Sequence, residues 1–171
     1  MKLIDVNMES ENWKYATSEH DRGYLEGALD SEGSLYITKN SKNRVTPTYQ
    51  VHVIVVNTDY AFLELIKTIV GGGNILPRRS QVMYYKNTVY VTAGTFVYYM
   101  NRVDMIRVLP NITLVIKEQN RILLLDAIKL LEKSKWQKNA AVLAELEVFY
   151  QESRFLNRKG KKGVRVSQNG V

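Results

Sequence analysis

Residues 25–34 read Leu25-Glu26-Gly27-Ala28-Leu29-Asp30-Ser31-Glu32-Gly33-Ser34, with two glycines and three acids among apolar residues. The segment lies in a predicted helix that begins after Ser18, because a hydroxyl followed three residues later by the carboxylate of Asp21 is the spacing of a capping box. We expect this helix to end near Gly33. The segment therefore joins the end of a helix to whatever follows it.

Two glycines lie inside this predicted helix, Gly23 and Gly27, four residues apart and on one face. Each costs about 1 kcal/mol relative to alanine in a helix interior. Close approach of another backbone is the usual reason for accepting that cost. The approaching backbone belongs either to a second copy of the chain or to another part of the same chain.

Two strands are predicted after this helix, because residues 34–40 and 45–55 alternate between polar and apolar side chains. The polar face carries neutral hydrogen-bonding groups instead of the usual Lys and Glu. Such groups suit base edges in a DNA major groove, and they equally suit contact with solvent. The members of this face are Ser34, Tyr36, Thr38, Asn40, Thr46, Thr48, Gln50 and His52.

A second helix is predicted from Asn57-Thr58-Asp59 to the glycine run at residues 71–73, which turns the chain. Its expected buried stripe follows the i, i+3, i+4, i+7 pattern: Phe62, Leu65, Ile66 and Ile69. The glycine run follows a helix and lacks the lysine and hydroxyl of a phosphate-binding P-loop, so we assign it no nucleotide.

The rest of the chain predicts two strands and three helices. The strands cover residues 74–79 and 88–92. The helices cover residues 95–103, 117–134 and 140–153, and Ile122, Leu125, Ile128 and Leu131 are among the apolar positions of the second. Four antiparallel strands with helices on one face make an α+β domain in the order αββαββα. We expect a single domain over residues 1–171, with a core of about 18–153 and a basic tail at 154–171.

Composition narrows the class of protein. The chain has 171 residues, 45% of them hydrophobic, so it can bury a sizeable core, and it has no cysteine for disulfides or thiolate metal sites. The net charge is +7, and acids are missing from residues 33–58, 65–103 and 153–171. This segregation suits a polyanionic partner, although a solvated basic surface also accounts for it. Without a signal peptide or membrane span in the sequence, we expect a soluble intracellular protein, cytoplasmic or organellar, that uses no membrane.

Residues 25–34 resemble, position by position, the motif of the LAGLIDADG homing endonucleases. The resemblance extends through the polar strand pair, Asn57-Thr58-Asp59, the glycine turn and Lys117-Glu118-Gln119-Asn120, and it covers about residues 20–135. Two positions depart from the family pattern. Glu26 stands where a small or apolar residue is usual, and the last acid is Glu32 instead of aspartate.

The resemblance implies a four-stranded antiparallel sheet that binds DNA, with helices on its other face. Family members with one copy of the motif act as homodimers whose motif helices meet on the symmetry axis. We therefore expect Gly23, Gly27 and Ala28 at a dimer interface, with a tight helix contact inside one chain as the alternative.

The resemblance also implies site-specific cleavage of double-stranded DNA at a long pseudo-palindromic site, leaving short 3′ overhangs. The metal-facing groups would be the Glu32 carboxylate and the Ser31 carbonyl, with Mg²⁺ as the ion and Mn²⁺ or Ca²⁺ as substitutes. Lys117 is the candidate basic helper, and a lysine that merely starts a helix is the alternative.

The predicted DNA-binding residues combine the polar strand face with basic residues, Arg78 reading guanine, Gln50 reading adenine and lysines holding the backbone. The full set is Ser34, Tyr36, Thr38, Asn40, Lys42, Arg44, Thr46, Thr48, Gln50, His52, Arg78, Arg79, Lys86, Thr88, Tyr90, Lys159, Lys161 and Lys162.

Two other activities are compatible with the same motif. One is an intron-splicing maturase that binds intron RNA without cleaving DNA, and retention of an acid at residue 32 argues against a pure binder. The other is a DNA-binding regulator, which usually carries a helix-turn-helix module. The 36 residues or so after Lys135 are too few for such a module.

Overall fold

In this computed structural model of the protein, residues 12–42, 46–80, 82–85, 88–91, 94–134 and 139–158 are described; for residues 82–85 and 88–91 the description is limited to the backbone. The elements follow the chain in this order: α1 (Glu19–Ser31), β1 (Gly33–Asn40), β2 (Thr48–Asn57), α2 (Tyr60–Val70), β3 (Asn74–Arg78), β4 (Val82–Tyr85), β5 (Thr88–Val91), β6 (Thr95–Met100), α3 (Arg102–Val108), α4 (Glu118–Lys133) and α5 (Ala140–Leu156).

Strands β1, β2, β6 and β3 lie side by side in that order and form a four-stranded antiparallel sheet. Strands β4 and β5 pair with each other in a separate hairpin. Apolar residues on one face of the four-stranded sheet join residues of the helices in one core, which includes Leu25, Leu29, Leu35, Val53, Val55, Leu63, Ile66, Tyr98 and Leu124. The α+β class and the four-stranded antiparallel sheet are therefore confirmed.

One predicted helix is a strand in the structure. Residues 95–103 were expected to form a short helix, but Thr95–Met100 is strand β6 in the middle of the sheet, and Asn101 caps helix α3. The strand expected at residues 88–92 is β5, which belongs to the separate hairpin. The sequence Thr-Phe-Val-Tyr-Tyr-Met is rich in β-branched and aromatic residues, which favour strands. Val97, Tyr98 and Met100 are all buried, so the strand lacks the polar alternation that marks a half-exposed one.

Helices α1 and α2 begin and end as their sequences predict. The Ser18 hydroxyl accepts a hydrogen bond from the amide of Asp21 at 3.1 Å, and Asp59 caps α2. Gly71 ends α2 in the left-handed region, with φ of +76°, where a side chain would be strained. The buried stripe of α2 is rotated from the expected one, however. Leu63 and Val70 are buried with Ile66 and Ile69, whereas Leu65 is 43% exposed.

Helix α4 does not bury all of its apolar positions. Leu123, Leu124, Ala127 and Ile128 are buried, whereas Ile122 is 47% exposed. The segment Ile-Leu-Leu-Leu at residues 122–125 is apolar at every position, so its sequence does not define which side faces the core.

Helix α5 packs along β1 and satisfies backbone groups of that strand that do not pair with β2. The Ser153 hydroxyl, which is buried, accepts from the amide of Ile37 at 2.9 Å. The Asn157 side chain donates to the carbonyl of Leu35 at 2.9 Å. These contacts carry α5 to Leu156, three residues beyond its expected end.

Glu147 of α5 ties the helix to both β1 and β2. Its carboxylate lies 2.7 Å from Lys39 Nζ and accepts from the Tyr49 hydroxyl at 2.5 Å and from Gln151 Nε2 at 2.8 Å. These hydrogen bonds, that from Lys39 first, lower the pKa of Glu147 to about 2. Burial and the bond to Glu147 raise the pKa of Tyr49 to about 12. The cluster therefore stabilises the fold through an ionised carboxylate.

We expect Glu147→Gln to lower the thermal unfolding midpoint at neutral pH and to flatten its dependence on pH in the acid range. Because the folded-state pKa of Glu147 lies below the ordinary value, its contribution is complete above about pH 4.5. It is lost as the pH falls towards 2. Glu152→Gln, at an exposed position of the same helix, is the control. Identical acid profiles for Glu147→Gln and the parent would contradict the assignment.

Candidate functional site

Helix α1 ends at the two residues expected to face a metal. Glu32 is the C-cap residue, its amide donates to the carbonyl of Ala28 at 2.9 Å, and its side chain is exposed. The hydroxyl of Ser31 donates back to the carbonyl of Gly27 at 2.8 Å, so the Ser31 side chain is used within the helix. The free carboxylate at this end of the helix is therefore that of Glu32, and it faces solvent.

Lys117 lies against the same helix end. Its ammonium donates to the carbonyls of Leu29 at 2.9 Å and Gly33 at 2.8 Å, and it lies 3.4 Å from the carbonyl of Ser31. Burial lowers the pKa of Lys117, and the nearby carboxylates of Asp30 and Glu32 oppose that shift. The structure thus brings Lys117, Glu32 and the Ser31 carbonyl together, although 85 residues separate Glu32 from Lys117 in the chain.

Asp30 holds the backbone that precedes helix α4. Its carboxylate accepts from the amides of Val115 at 2.6 Å, Ile116 at 3.2 Å and Lys117 at 3.0 Å. Amide groups at the start of a helix have no partner inside the helix, and a carboxylate there is favoured by the helix dipole. Asp30 therefore positions Lys117, and it is not a second free carboxylate beside Glu32.

Glu26, the unusual residue at the second motif position, has a similar partner. Its carboxylate accepts from the amide of Thr113 at 2.8 Å. Glu26 and Asp30 lie one turn apart on α1, so together they bind residues 113–117 along one side of the helix. The glutamate is accommodated because the neighbouring backbone offers it a donor.

The glycine face of α1 is open in the single chain. A Cβ atom at Gly23 or Gly27 would meet nothing within 4 Å. Beside this face, Val115 is 90% exposed and Ile116 is 77% exposed. The glycines therefore do not serve a tight contact with any described part of their own chain. Ala28, by contrast, is 6% exposed and packs in the core, so its side chain is not on the open face.

Metal ligands are sparse at this helix end. Within the described residues, no group of three His, Cys, Asp or Glu side chains is close enough to hold an ion. One exposed carboxylate and one carbonyl still fit Mg²⁺, which is often bound through one or two carboxylates and completes its shell with water and phosphate oxygens. A second carboxylate would have to come from another copy of the chain.

The sheet face opposite the helices is lined mainly by uncharged groups. On β1 and β2, Tyr36 pairs with His52, Thr38 with Gln50 and Asn40 with Thr48. The rings of Tyr36 and His52 are stacked with centroids 5.0 Å apart, and the Thr38 hydroxyl lies 2.9 Å from His52 Nε2. Burial lowers the pKa of His52, so its ring is neutral at physiological pH. Thr46 is exposed just before β2.

Of the comparisons with known proteins, only the comparison with solved structures found matches. No family model matches the chain, and no curated protein sequence matches it. Many solved structures are similar, and three of them are described next. The archaeal intron-encoded homing endonuclease I-Vdi141I, complexed with DNA, is 18% identical with a TM-score of 0.68, over 85% of this chain and 89% of that one. The homing endonuclease I-CvuI, in complex with a DNA target, is 20% identical with a TM-score of 0.58, over 86% and 90%. The LAGLIDADG meganuclease I-AabMI, bound to uncleaved DNA, is 20% identical with a TM-score of 0.57, over 75% and 43%.

The chain has the LAGLIDADG homing-endonuclease fold. The resemblance found in residues 25–34 is thereby confirmed at the level of the fold, and α1 is the helix that carries most of this segment. Across the described residues, no helix has the length and apolar character needed to cross a bilayer.

The basic residues of the chain divide into paired and exposed groups. Lys39 pairs with Glu147, Arg102 with Glu132, and Lys67 lies 3.7 Å from Glu64. Lys42, Arg78 and Arg79 are exposed, and Arg78 ends β3 at the edge of the uncharged face. Arg44, Lys86, Lys159, Lys161 and Lys162 lie outside the described residues, and for Thr88 and Tyr90 the description covers the backbone alone.

The part of the open sheet face that β6 creates was not predicted from the sequence. On this face, Ile54 of β2 pairs with Tyr99 of β6, which pairs in turn with Asn74 of β3. In the same way, Val56 pairs with Val97, which pairs with Leu76. The available signal was the β-branched and aromatic composition of residues 95–99, which favours a strand but shows no polar alternation.

We expect Lys117→Met to reduce the free energy of unfolding by about 1–3 kcal/mol, because the carbonyls of Leu29 and Gly33 lose their donor. Lys117→Arg should recover part of that loss. Urea unfolding at neutral pH measures both effects, and Lys129→Met, at an exposed lysine of α4, is the control. A variant as stable as the parent would show that Lys117 does not hold the helix end.

Proposed function

We propose that the protein is a metal-dependent endonuclease that cuts double-stranded DNA at a specific long, pseudo-palindromic site as a homodimer. The observation that carries the proposal is the position of the exposed Glu32 carboxylate beside Lys117, at the end of a helix whose glycine face is open. The similar structures I-Vdi141I, I-CvuI and I-AabMI support it, because all three are endonucleases bound to DNA.

A second copy of the chain accounts for both the open glycines and the sparse ligands. Packing of two α1 helices through Gly23 and Gly27 would bring two Glu32 carboxylates towards one axis. Val115 and Ile116, exposed beside that face, would be covered by the same contact. The chain spans 90% of I-CvuI but only 43% of I-AabMI. Two copies of the chain would therefore be needed to match the length of I-AabMI, which is compatible with this arrangement.

In the proposed reaction, Glu32 and the Ser31 carbonyl of each copy would hold a divalent ion, Mg²⁺ by preference and Mn²⁺ or Ca²⁺ as substitutes. I-CvuI was crystallised with DNA in the presence of Mg in one case and of Ca in another. A bound ion of this kind would lower the pKa of a water and stabilise the leaving 3′ oxygen during in-line displacement. Two close carboxylates also need a cation, because each raises the pKa of the other.

The chain's own residues would do three things around that ion. Glu32 binds it, Asp30 orients residues 115–117, and Lys117 places positive charge where phosphate would approach. Backbone contacts would come from Lys42 and Arg79, and base contacts from Arg78, Gln50 and the other hydrogen-bonding groups of the sheet face. Cleavage across the minor groove would leave short 3′ overhangs, as the family resemblance implies.

We expect Glu32→Gln to abolish strand scission and to leave DNA affinity within a few-fold of the parent, because an amide cannot replace the charge that holds the ion. The target duplex is first selected from a randomised library by the parent protein. Scission is then followed by gel electrophoresis in Mg²⁺, and binding by titration without it. Glu19→Gln, at an exposed position of the same helix, is the control. Cutting by Glu32→Gln at the parental rate would rule out the catalytic assignment.

We expect Gly27→Leu to weaken dimerisation while the single chain stays folded. A Cβ atom at residue 27 would meet nothing within 4 Å, and the substitution improves helix propensity by about 1 kcal/mol, but a leucine side chain there would block close approach of a second α1. Sedimentation equilibrium with and without target DNA measures the association, and circular dichroism checks the fold. Ala144→Leu, at an exposed position of α5, should dimerise as the parent does. If both variants associate equally well, α1 is not the interface.

A further inference from the structure

The sheet face opposite the helices is divided into two zones of different chemistry. Where β1 and β2 run on towards Asn40 and Thr48, it carries hydrogen-bonding side chains. Where β2, β6 and β3 lie together, it carries four aliphatic side chains, which we define as the apolar zone: Ile54, Val56, Leu76 and Val97. Polar side chains border this zone on the same face: Asn74, Tyr99, Thr95 and Arg78.

The apolar zone is continuous across three strands. Val56 pairs with Val97, and Val97 pairs with Leu76, so these three side chains form one cross-strand row. Val97, at 4% exposed, forms the floor of the row, while Leu76 is 54% exposed at its rim. Two interstrand spacings make the row about 10 Å wide, slightly less than the roughly 12 Å width of a DNA major groove.

The surroundings of the apolar zone favour a nucleic acid over an apolar protein surface. The residues of β1, β2, β3 and β6 that share this face include no acid, and Arg78 and Arg79 are exposed at the end of β3. The zone also continues directly into the hydrogen-bonding pairs of β1 and β2 through Ile54 and its neighbour Ser34. Positive charge beside a row of aliphatic groups matches a polyanion that presents apolar groups in a groove.

The major groove offers one such group, the C5-methyl of thymine. We propose that the apolar zone reads thymine bases through their methyl groups, at the base pairs of each half-site nearest the cleavage position. The location follows from register, because Ile54 lies opposite Ser34, two residues after Glu32, whereas the hydrogen-bonding pairs lie farther along β1. This inference rests on the proposed function and names the bases that one part of its surface recognises.

The experiment removes methyl groups from the DNA without changing its base pairing. Using the selected duplex, thymine is replaced by deoxyuridine one position at a time, and binding of the parent protein is measured by titration. We expect affinity to fall about fourfold for each methyl that the zone contacts, the amount that burial of one such group contributes. The sensitive positions should cluster on both sides of the cleavage sites. Replacement of thymine at other positions should leave the affinity unchanged.

Variants assign the effect to the zone. Leu76→Ala should bind the thymine and deoxyuridine duplexes equally at the position it contacts. Leu65→Ala removes a similarly exposed leucine from α2, outside the four-stranded sheet, and should keep the parental discrimination. The deoxyuridine scan uses the parent protein alone. Its result therefore remains valid even if a substitution disturbs the folding of a variant.

The outcomes separate the two proposals. Sequence-specific binding that is indifferent to every deoxyuridine would overturn methyl recognition and leave the proposed function intact. Methyl sensitivity that persists in Leu76→Ala and lies only at the outer positions would overturn the assignment to the apolar zone. Failure of the library to yield any preferred duplex would overturn both.

Discussion

The contact on which the candidate site depends is a two-way clamp between the end of α1 and residues 113–117. Asp30 on the helix accepts three backbone amides from that segment, and Lys117 on the segment donates to carbonyls at the end of the helix. The end of α1 has carbonyls without donors, and Lys117 supplies a donor to them. The segment before α4 has amides without acceptors, and Asp30 supplies an acceptor to them. The clamp determines where Glu32 and Lys117 stand relative to each other.

The same clamp explains how one face of α1 remains free. With Glu26 and Asp30 engaged on one side and Leu25, Ala28 and Leu29 buried on another, the glycine side is the part of the helix left for an external contact. The cost of two glycines in a helix is therefore understandable without any contact inside the described chain. Dimerisation and ion binding become linked in the proposal, because the helix that would carry the interface also carries Glu32.

Much of this arrangement was predictable from the sequence, since α1, the β1–β2 pair and the glycine turn rest on local capping, alternation and left-handed backbone. Strand β6 was not predicted, because it carries apolar or aromatic side chains on both faces and so shows no polar alternation. The phase of α2 was wrong by about one position, because consecutive apolar residues fit several helix faces. The hydrogen-bond partners of Glu26 and Asp30 could not be predicted either, because they lie more than 80 residues away along the chain.

The hydrogen bonds from Ser153 and Asn157 to β1 have a consequence for how copies of the molecule meet. An outermost strand with unpaired amides and carbonyls is a template on which a strand from another molecule can add, and such addition leads to open-ended aggregation. Ser153 and Asn157 occupy the Ile37 amide and the Leu35 carbonyl of β1, while at the opposite margin of the sheet Pro77 has no amide to donate to an added strand. Growth by strand addition is thus hindered at both margins. A chain built this way can leave one sheet face open and still resist growth into fibres.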